Sequence, residues 1–146
     1  MGGIIMVYKE LMDVDLFTMD KEYALAHCIS SDCALGAGIA VLFNANYDMR
    51  RKLKELPRER LKYPTCVYID GVFNLITKNR CWNKPTYDTL RMALEEMKKQ
   101  AIEMNIKKIA MPKIGCGLDR LMWYRVSKMI QEIFNDTDIE IVVCIL

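Results

Sequence analysis

The chain has 146 residues, 52% of them hydrophobic and 27% charged, with a formal net charge of +2. A chain of this length fits one domain, 1–146, that buries roughly 68–70% of the surface of its unfolded form and needs no disulfide or metal staple. The longest apolar runs, Gly38 to Phe43 and Ile139 to Leu146, are far too short to span a bilayer, and the opening Met-Gly-Gly-Ile-Ile-Met shows neither a secretory nor a myristoylation pattern, so no membrane partner is expected.

Cys28, Cys33, Cys66, Cys81, Cys116 and Cys144 form no C-x-x-C pair, and the single histidine, His27, makes only a weak zinc pattern with Cys28 and Cys33. No metal is expected. Scattered thiols without a leader point to a reducing, intracellular setting, cytoplasmic or nuclear. Arg50, Arg51, Lys52, Lys54, Arg58, Arg60 and Lys62 form the nearest thing to a basic run, but Glu55 and Glu59 interrupt it. It reads as a solvated helix face and loop, since unspecific nucleic-acid binding calls for a stronger stripe.

In chain order, Ile4 to Tyr8 and Ala24 to Ile29 read as strands. Gly36 to Asn44 reads as a helix entered through glycines, and Asp48 to Leu56 as a second helix stopped by Pro57. Thr65 to Ile69 and Val72 to Thr77 flank Asp70-Gly71, the strongest short hairpin signal. Thr86 to Met104 is the clearest helix: Tyr87, Leu90, Leu94, Met97, Ala101 and Met104 recur at spacings of three and four, with Pro85 before and Asn105 after. Lys108 to Met111 is a strand, Leu121 to Phe134 a helix with Met122, Val126, Met129, Ile130 and Ile133 on one face, and Ile139 to Leu146 a continuous apolar strand. Continuous apolar strands are buried on both faces. The expected fold class is α/β, a three-layer α/β/α sandwich with a mixed sheet.

In open α/β sheets, ligands bind beyond the carboxyl ends of the strands, near helix N-termini. Two strand–glycine–helix junctions fit: Ser30 to Ala40, with Gly36-Ala37-Gly38, and Met111 to Arg120, with Gly115-Cys116-Gly117. Glycines there let backbone N–H groups approach an anion, and two such loops suit a diphosphate. Neither is a P-loop or a dinucleotide fingerprint. Asp119 stands where the second helix is expected to begin, as an N-cap, as a catalytic carboxylate, or as both. Lys78 ends an apolar strand; it reads as a solvated charge, or as a nucleophile if desolvation or a nearby cation such as Arg80 lowers its pKa.

Together His27-Cys28-Ile29-Ser30, Gly36-Ala37-Gly38-Ile39-Ala40-Val41-Leu42-Phe43, Leu75-Ile76-Thr77-Lys78, Lys84-Pro85-Thr86-Tyr87 and Ile114-Gly115-Cys116-Gly117-Leu118-Asp119-Arg120-Leu121 closely resemble the terminal ADP-ribose protein glycohydrolase branch of the macrodomain superfamily, from about Val7 to Leu146. The resemblance implies a macrodomain fold, ADP-ribose as ligand and product, and no cofactor or metal. It implies release of ADP-ribose from acidic side chains of a modified protein, or from nucleic acid or O-acetyl-ADP-ribose, by a chain expected to be a monomer. Lys78 corresponds to the lysine that attacks the distal ribose, and Asp119 to the aspartate that resolves the adduct; direct attack by water activated by Asp119 is the mechanistic alternative. Ser30 lies near the distal ribose by this correspondence, and Asp15, with Leu16, at the adenine. Gly36, Gly38, Ile39 and Ala40 belong to one phosphate loop. Ile114, Gly115, Cys116, Gly117 and Leu118 belong to the other. Two departures stand out: Val14 replaces the family's glycine before Asp15, and Cys144 replaces an aromatic near the adenine, leaving stacking to a residue such as Phe17. The rival functions are a reader module that binds ADP-ribose without turnover and an antitoxin acting on modified DNA or RNA bases.

Overall fold

The computed structural model describes residues 6–117 and 119–146. Ile4 and Ile5 of the first expected strand, and Leu118 of the second glycine loop, therefore lie outside the described residues. Six strands form one sheet: β1 (Val7–Met12), β2 (Ala24–Ser30), β3 (Thr65–Ile69), β4 (Val72–Lys78), β5 (Lys108–Met111) and β6 (Glu140–Ile145), in the order β1-β6-β5-β2-β4-β3. All neighbours pair in parallel except β3 with β4, so the sheet is mixed. The one antiparallel pair is the hairpin expected at Asp70-Gly71, whose φ angles of 49° and 84° match the doubly left-handed turn that Asp-Gly favours.

Side chains alternate across the pleat, and here both faces are apolar. Ala24, Ala26, Phe73, Leu75, Ile109, Met111, Ile141 and Val143 face α3 (Tyr87–Glu103) and α4 (Trp123–Phe134). Leu25, Ile29, Val72, Ile76, Ala110, Val142 and Cys144 face α1 (Ala40–Tyr47) and α2 (Met49–Lys54). The result is the three-layer α/β/α sandwich. In α3 the expected stripe supplies Leu90, Leu94, Met97 and Ala101 to the core, each large member contributing about 1.5–3 kcal/mol. Thr86 caps this helix through a reciprocal box with Thr89, and left-handed Asn105 (φ 56°) ends it. Met104 of that stripe is exposed, because it already stands at the C-cap.

Two helix starts are later than expected. The segment 36–39 is not helical: α1 begins at Ala40, after Gly38 turns left-handed (φ 61°). Leu121 and Met122 are also outside α4; Met122 is its extended, exposed N-cap residue. Left-handed Asp48 separates α1 from α2.

His27 is buried between sheet and α1. Its Nε2 donates to Asn74 Oδ1 at 2.6 Å, Asn74 Nδ2 donates to the Val67 carbonyl, and the Phe43 ring stacks on the imidazole at 3.8 Å. Burial lowers the His27 pKa to about 4, against a lesser upward pull from Asn74, so the ring is neutral. It is a core residue, and no metal-holding cluster of His, Cys, Asp or Glu occurs among the described residues.

Candidate active site

Because β1, β6, β5, β2 and β4 run in parallel, their carboxyl ends emerge on one edge of the sheet. A cleft of about 330 Å³ opens there, lined by the loops after β2, β4 and β5. It contains Ser30, Gly36, Gly38, Ile39 and Ala40 from the first glycine junction, Ile114, Gly115 and Gly117 from the second, and Lys78 with Asp119.

Lys78 reaches the cleft through a β-bulge. Ile29 pairs with Ile76, but Ser30 pairs with Lys78, leaving Thr77 as the extra residue. Bulges of this kind re-aim side chains; without it Lys78 would face one residue further along β2. Its Nζ donates to Asp119 Oδ1 at 2.6 Å, and both side chains are mostly buried, at 13% and 14% exposure. Asp119 is thus not the cap of α4, whose N-cap Met122 offers no side-chain bond. It sits in a loop closed at its neck by the Leu121 N–H donating to the Gly115 carbonyl at 2.7 Å. Arg80, a candidate neighbour of Lys78, instead lines a different cleft.

The glycines divide their work. Gly115 is left-handed (φ 75°), and a Cβ there would stand 3.1 Å from Leu121 Cδ1, so the fold demands it. A Cβ on Gly117 would meet nothing within 4 Å, and one on Gly36 only the Ala34 carbonyl at 3.9 Å; both open onto the cleft. No side chain caps α1; its Val41 and Leu42 N–H groups bond the Gly38 and Ile39 carbonyls, and the segment 36–40 lines the cleft. Lys84 and Lys113 add positive charge to the walls. The cleft can hold a doubly negative diphosphate beside a buried amine–carboxylate pair.

Sequence reasoning overlooked two organisers. Asp32 accepts from Ser30 Oγ, from the Ala34 N–H at 3.3 Å and from the Cys81 N–H at 2.9 Å. Partial burial opposes its ionisation, and these hydrogen bonds outweigh that, holding the carboxyl below its usual range. Arg50, expected on a solvated face, turns inward and donates to the Ala34 and Leu35 carbonyls at 2.8 and 3.2 Å. It holds Leu35 in its left-handed conformation (φ 45°). A lone charge within a basic run carries no signal of such a role.

Other expected site residues fall outside the cleft lining. Cys116 turns its Sγ to the Ile114 carbonyl and packs on the core. Leu16 is buried, and Asp15 is exposed at the end of β1, its carboxylate accepting the Phe17 N–H. Cys144 is buried at 5% exposure, and Phe17 meets Phe43 edge-on, with ring centroids 4.9 Å apart.

A family model described as Macro domain matches residues 58–130. The chain belongs to the macrodomain family. A curated relative, ADP-ribose glycohydrolase OARD1 of Homo sapiens, is 46% identical over 133 residues, spanning 88% of this chain and 86% of that one. Its Bos taurus counterpart is 44% identical over the same length. Among solved structures, the macrodomain of Mycobacterium tuberculosis DarG superposes with a TM-score of 0.84 at 23% identity, covering 98% of each chain. That of Thermus aquaticus DarG gives 0.82 at 22% identity, covering 97% of this chain and 98% of its own.

Proposed function

We propose that this protein is an ADP-ribosyl hydrolase that releases ADP-ribose from modified target proteins. The observation that carries the reading is the buried contact between Lys78 Nζ and Asp119 Oδ1 at 2.6 Å, in a cleft between two glycine loops. Simple binding of a diphosphate needs no such pair. The name of the curated relatives, ADP-ribose glycohydrolase, supports the same activity here.

The diphosphate lies against Gly36, Gly38, Gly117 and the start of α1, with the distal ribose over Lys78 and Ser30. Asp119 accepts a proton from the Lys78 ammonium, and the freed amine attacks the anomeric carbon. The C–O bond to the target breaks, and its electron pair leaves with the target carboxylate. Asp119 gives that proton up to solvent, takes another from water as the water displaces the lysine nitrogen, and passes it to the released amine, so that one proton leaves with the carboxylate product. The sequence of steps uses no cofactor or metal. The chain acts as a monomer inside the cell.

The pair is tested with a peptide mono-ADP-ribosylated on glutamate. Lys78→Ala is expected to lower kcat at least about a thousandfold while changing the Kd for free ADP-ribose less than about threefold. Asp119→Ala is expected to lose turnover and to accumulate an ADP-ribose adduct on intact protein, absent when Lys78 is also replaced. Full activity of Lys78→Ala would overturn the assignment. An inactive Lys78→Ala with no adduct on the Asp119 variant would transfer the attack to water.

A further inference from the structure

Beside the catalytic cleft lies a second and larger one, about 730 Å³, within the size range of real ligand sites. Its walls come from the segment following β2, the loop after β4, and the chain between α2 and β3. Lys54, Arg58, Lys62 and Arg80 line it. None of these four side chains has an ion-pair partner among the described residues, whereas their neighbours Arg51 and Lys52 are paired with Asp48, Glu55 and Asp70. Arg58, Lys62 and Arg80 are exposed. The cleft thus carries four cations without ion-pair partners against a single carboxylate, Asp32.

We propose, resting on the hydrolase reading above, that this cleft docks an acidic stretch of the target polypeptide next to its modified side chain. Position argues first. Ser31 and Asp32 line this cleft, while Ser30, one residue earlier, lines the catalytic one; Asn79 and Arg80 line this cleft, and Lys78 the other. The partition is the Asp32 carboxylate, bonded to Ser30 Oγ and the Cys81 N–H. A target chain leaving the anomeric carbon above Lys78 crosses this low wall and enters the basic cleft.

Chemistry then selects a polypeptide over a nucleic acid. The floor holds Cys33, Leu56 and Leu61, which suit apolar side chains between carboxylates. A phosphodiester strand calls for an unbroken positive track, but Asp32 lines this cleft and Glu55 and Glu59 interrupt its basic segment. Four cations around an apolar floor fit glutamates or aspartates interspersed with hydrophobic residues. Such charge complementarity selects partners and weakens with salt.

The test compares two peptides mono-ADP-ribosylated on one glutamate, one with acidic and one with neutral flanks, using the wild type and the double variant Arg58→Glu, Lys62→Glu. The wild type is expected to prefer the acidic flank about tenfold in kcat/KM, through KM, with kcat shared. The double variant is expected to erase that preference while turnover of the neutral peptide and the Kd for free ADP-ribose stay within twofold. Binding of the unmodified acidic peptide, measured by fluorescence anisotropy, is expected to be lost in the same variant. Equal KM values for both peptides in the wild type, or equal slowing of both in the variant, would overturn the proposal. So would an effect of the variant confined to an ADP-ribosylated single-stranded oligonucleotide. Failure of the wild type to hydrolyse either peptide while still binding the unmodified acidic one strikes instead at the hydrolase reading.

Discussion

The two glycine junctions look alike as sequence and differ as structures. After β2, the chain passes through left-handed Cys33, Leu35 and Gly38 and enters α1 at once, so that residues 36–40 line the cleft. After β5, Gly115 turns left-handed, a closed loop follows, and α4 starts only at Trp123. The first junction lays glycine backbone along the cleft; the second presents a carboxylate to Lys78. A G-x-G after a strand therefore marks where the backbone bends, and the residues around it decide what the bend delivers.

The largest effects are expected from a side chain added at each glycine of the second loop. Gly115→Val is expected to cost about 2–5 kcal/mol of unfolding free energy, from a left-handed β-branched residue pressed on Leu121 and Leu90. Gly117→Val is expected to leave the thermal midpoint within about 2 °C, since its Cβ meets open space, yet to weaken ADP-ribose binding at least tenfold by calorimetry. Equal stability losses at both positions would erase the distinction drawn between them.

The strand leading into the first junction carries the only histidine, His27, held neutral with a folded pKa of about 4 against about 6.5 unfolded. Between those values the unfolded chain binds the extra proton, so stability falls as pH drops from 6.5 to 4, by up to about 3 kcal/mol. Above pH 6.5 the contribution is complete. Denaturant titrations across this window should show a shallower pH dependence for His27→Gln; parallel curves would mean that the ring titrates normally in the fold.

The smallest effect is expected outside the cleft lining. Asp15→Ala should weaken ADP-ribose binding by about 1–3 kcal/mol if its carboxylate takes a charge-assisted bond from the adenine amine. Because that carboxylate also accepts the Phe17 N–H, the comparison with AMP and inosine monophosphate matters. A loss equal for both bases would reduce Asp15 to a cap of its own turn.

Much of the architecture was legible where local chemistry decides it. The Asp70-Gly71 turn dictates its hairpin, the Lys108–Met111 strand coincides with its apolar run, and α3 carries both periodicity and caps. The helix starts after the glycines were misplaced because tertiary bonds hold those segments, notably Arg50 on the carbonyls of Ala34 and Leu35. Lys78 and Asp119 were nameable from their motifs. Their contact was not, since it depends on a bulge at Thr77 and on a loop closed from Leu121 to Gly115. In the basic run Arg51, Lys54, Arg58, Arg60 and Lys62 are exposed, as a solvated face requires, whereas Arg50 turns inward and Lys52 is half-buried against Asp70, because pairing depends on what the fold brings alongside.

The strand order also sets a timetable for synthesis. β1 is made early but pairs only with β6, the last strand, in register from Val7 with Glu140 to Met12 with Ile145. Until β6 leaves the ribosome, β1 has no neighbour in the sheet, and closing so long a loop is slow relative to local pairing. The hairpin, β2 and α3 are complete well before then. Asp13 and Val14 donate their N–H groups to the Ile145 carbonyl, so the turn that carries Asp15 is anchored only once β6 is in place. A nascent chain halted before β6 would hold Lys78 and Asp119 in one piece of polypeptide yet lack the strand that anchors the Asp15 turn.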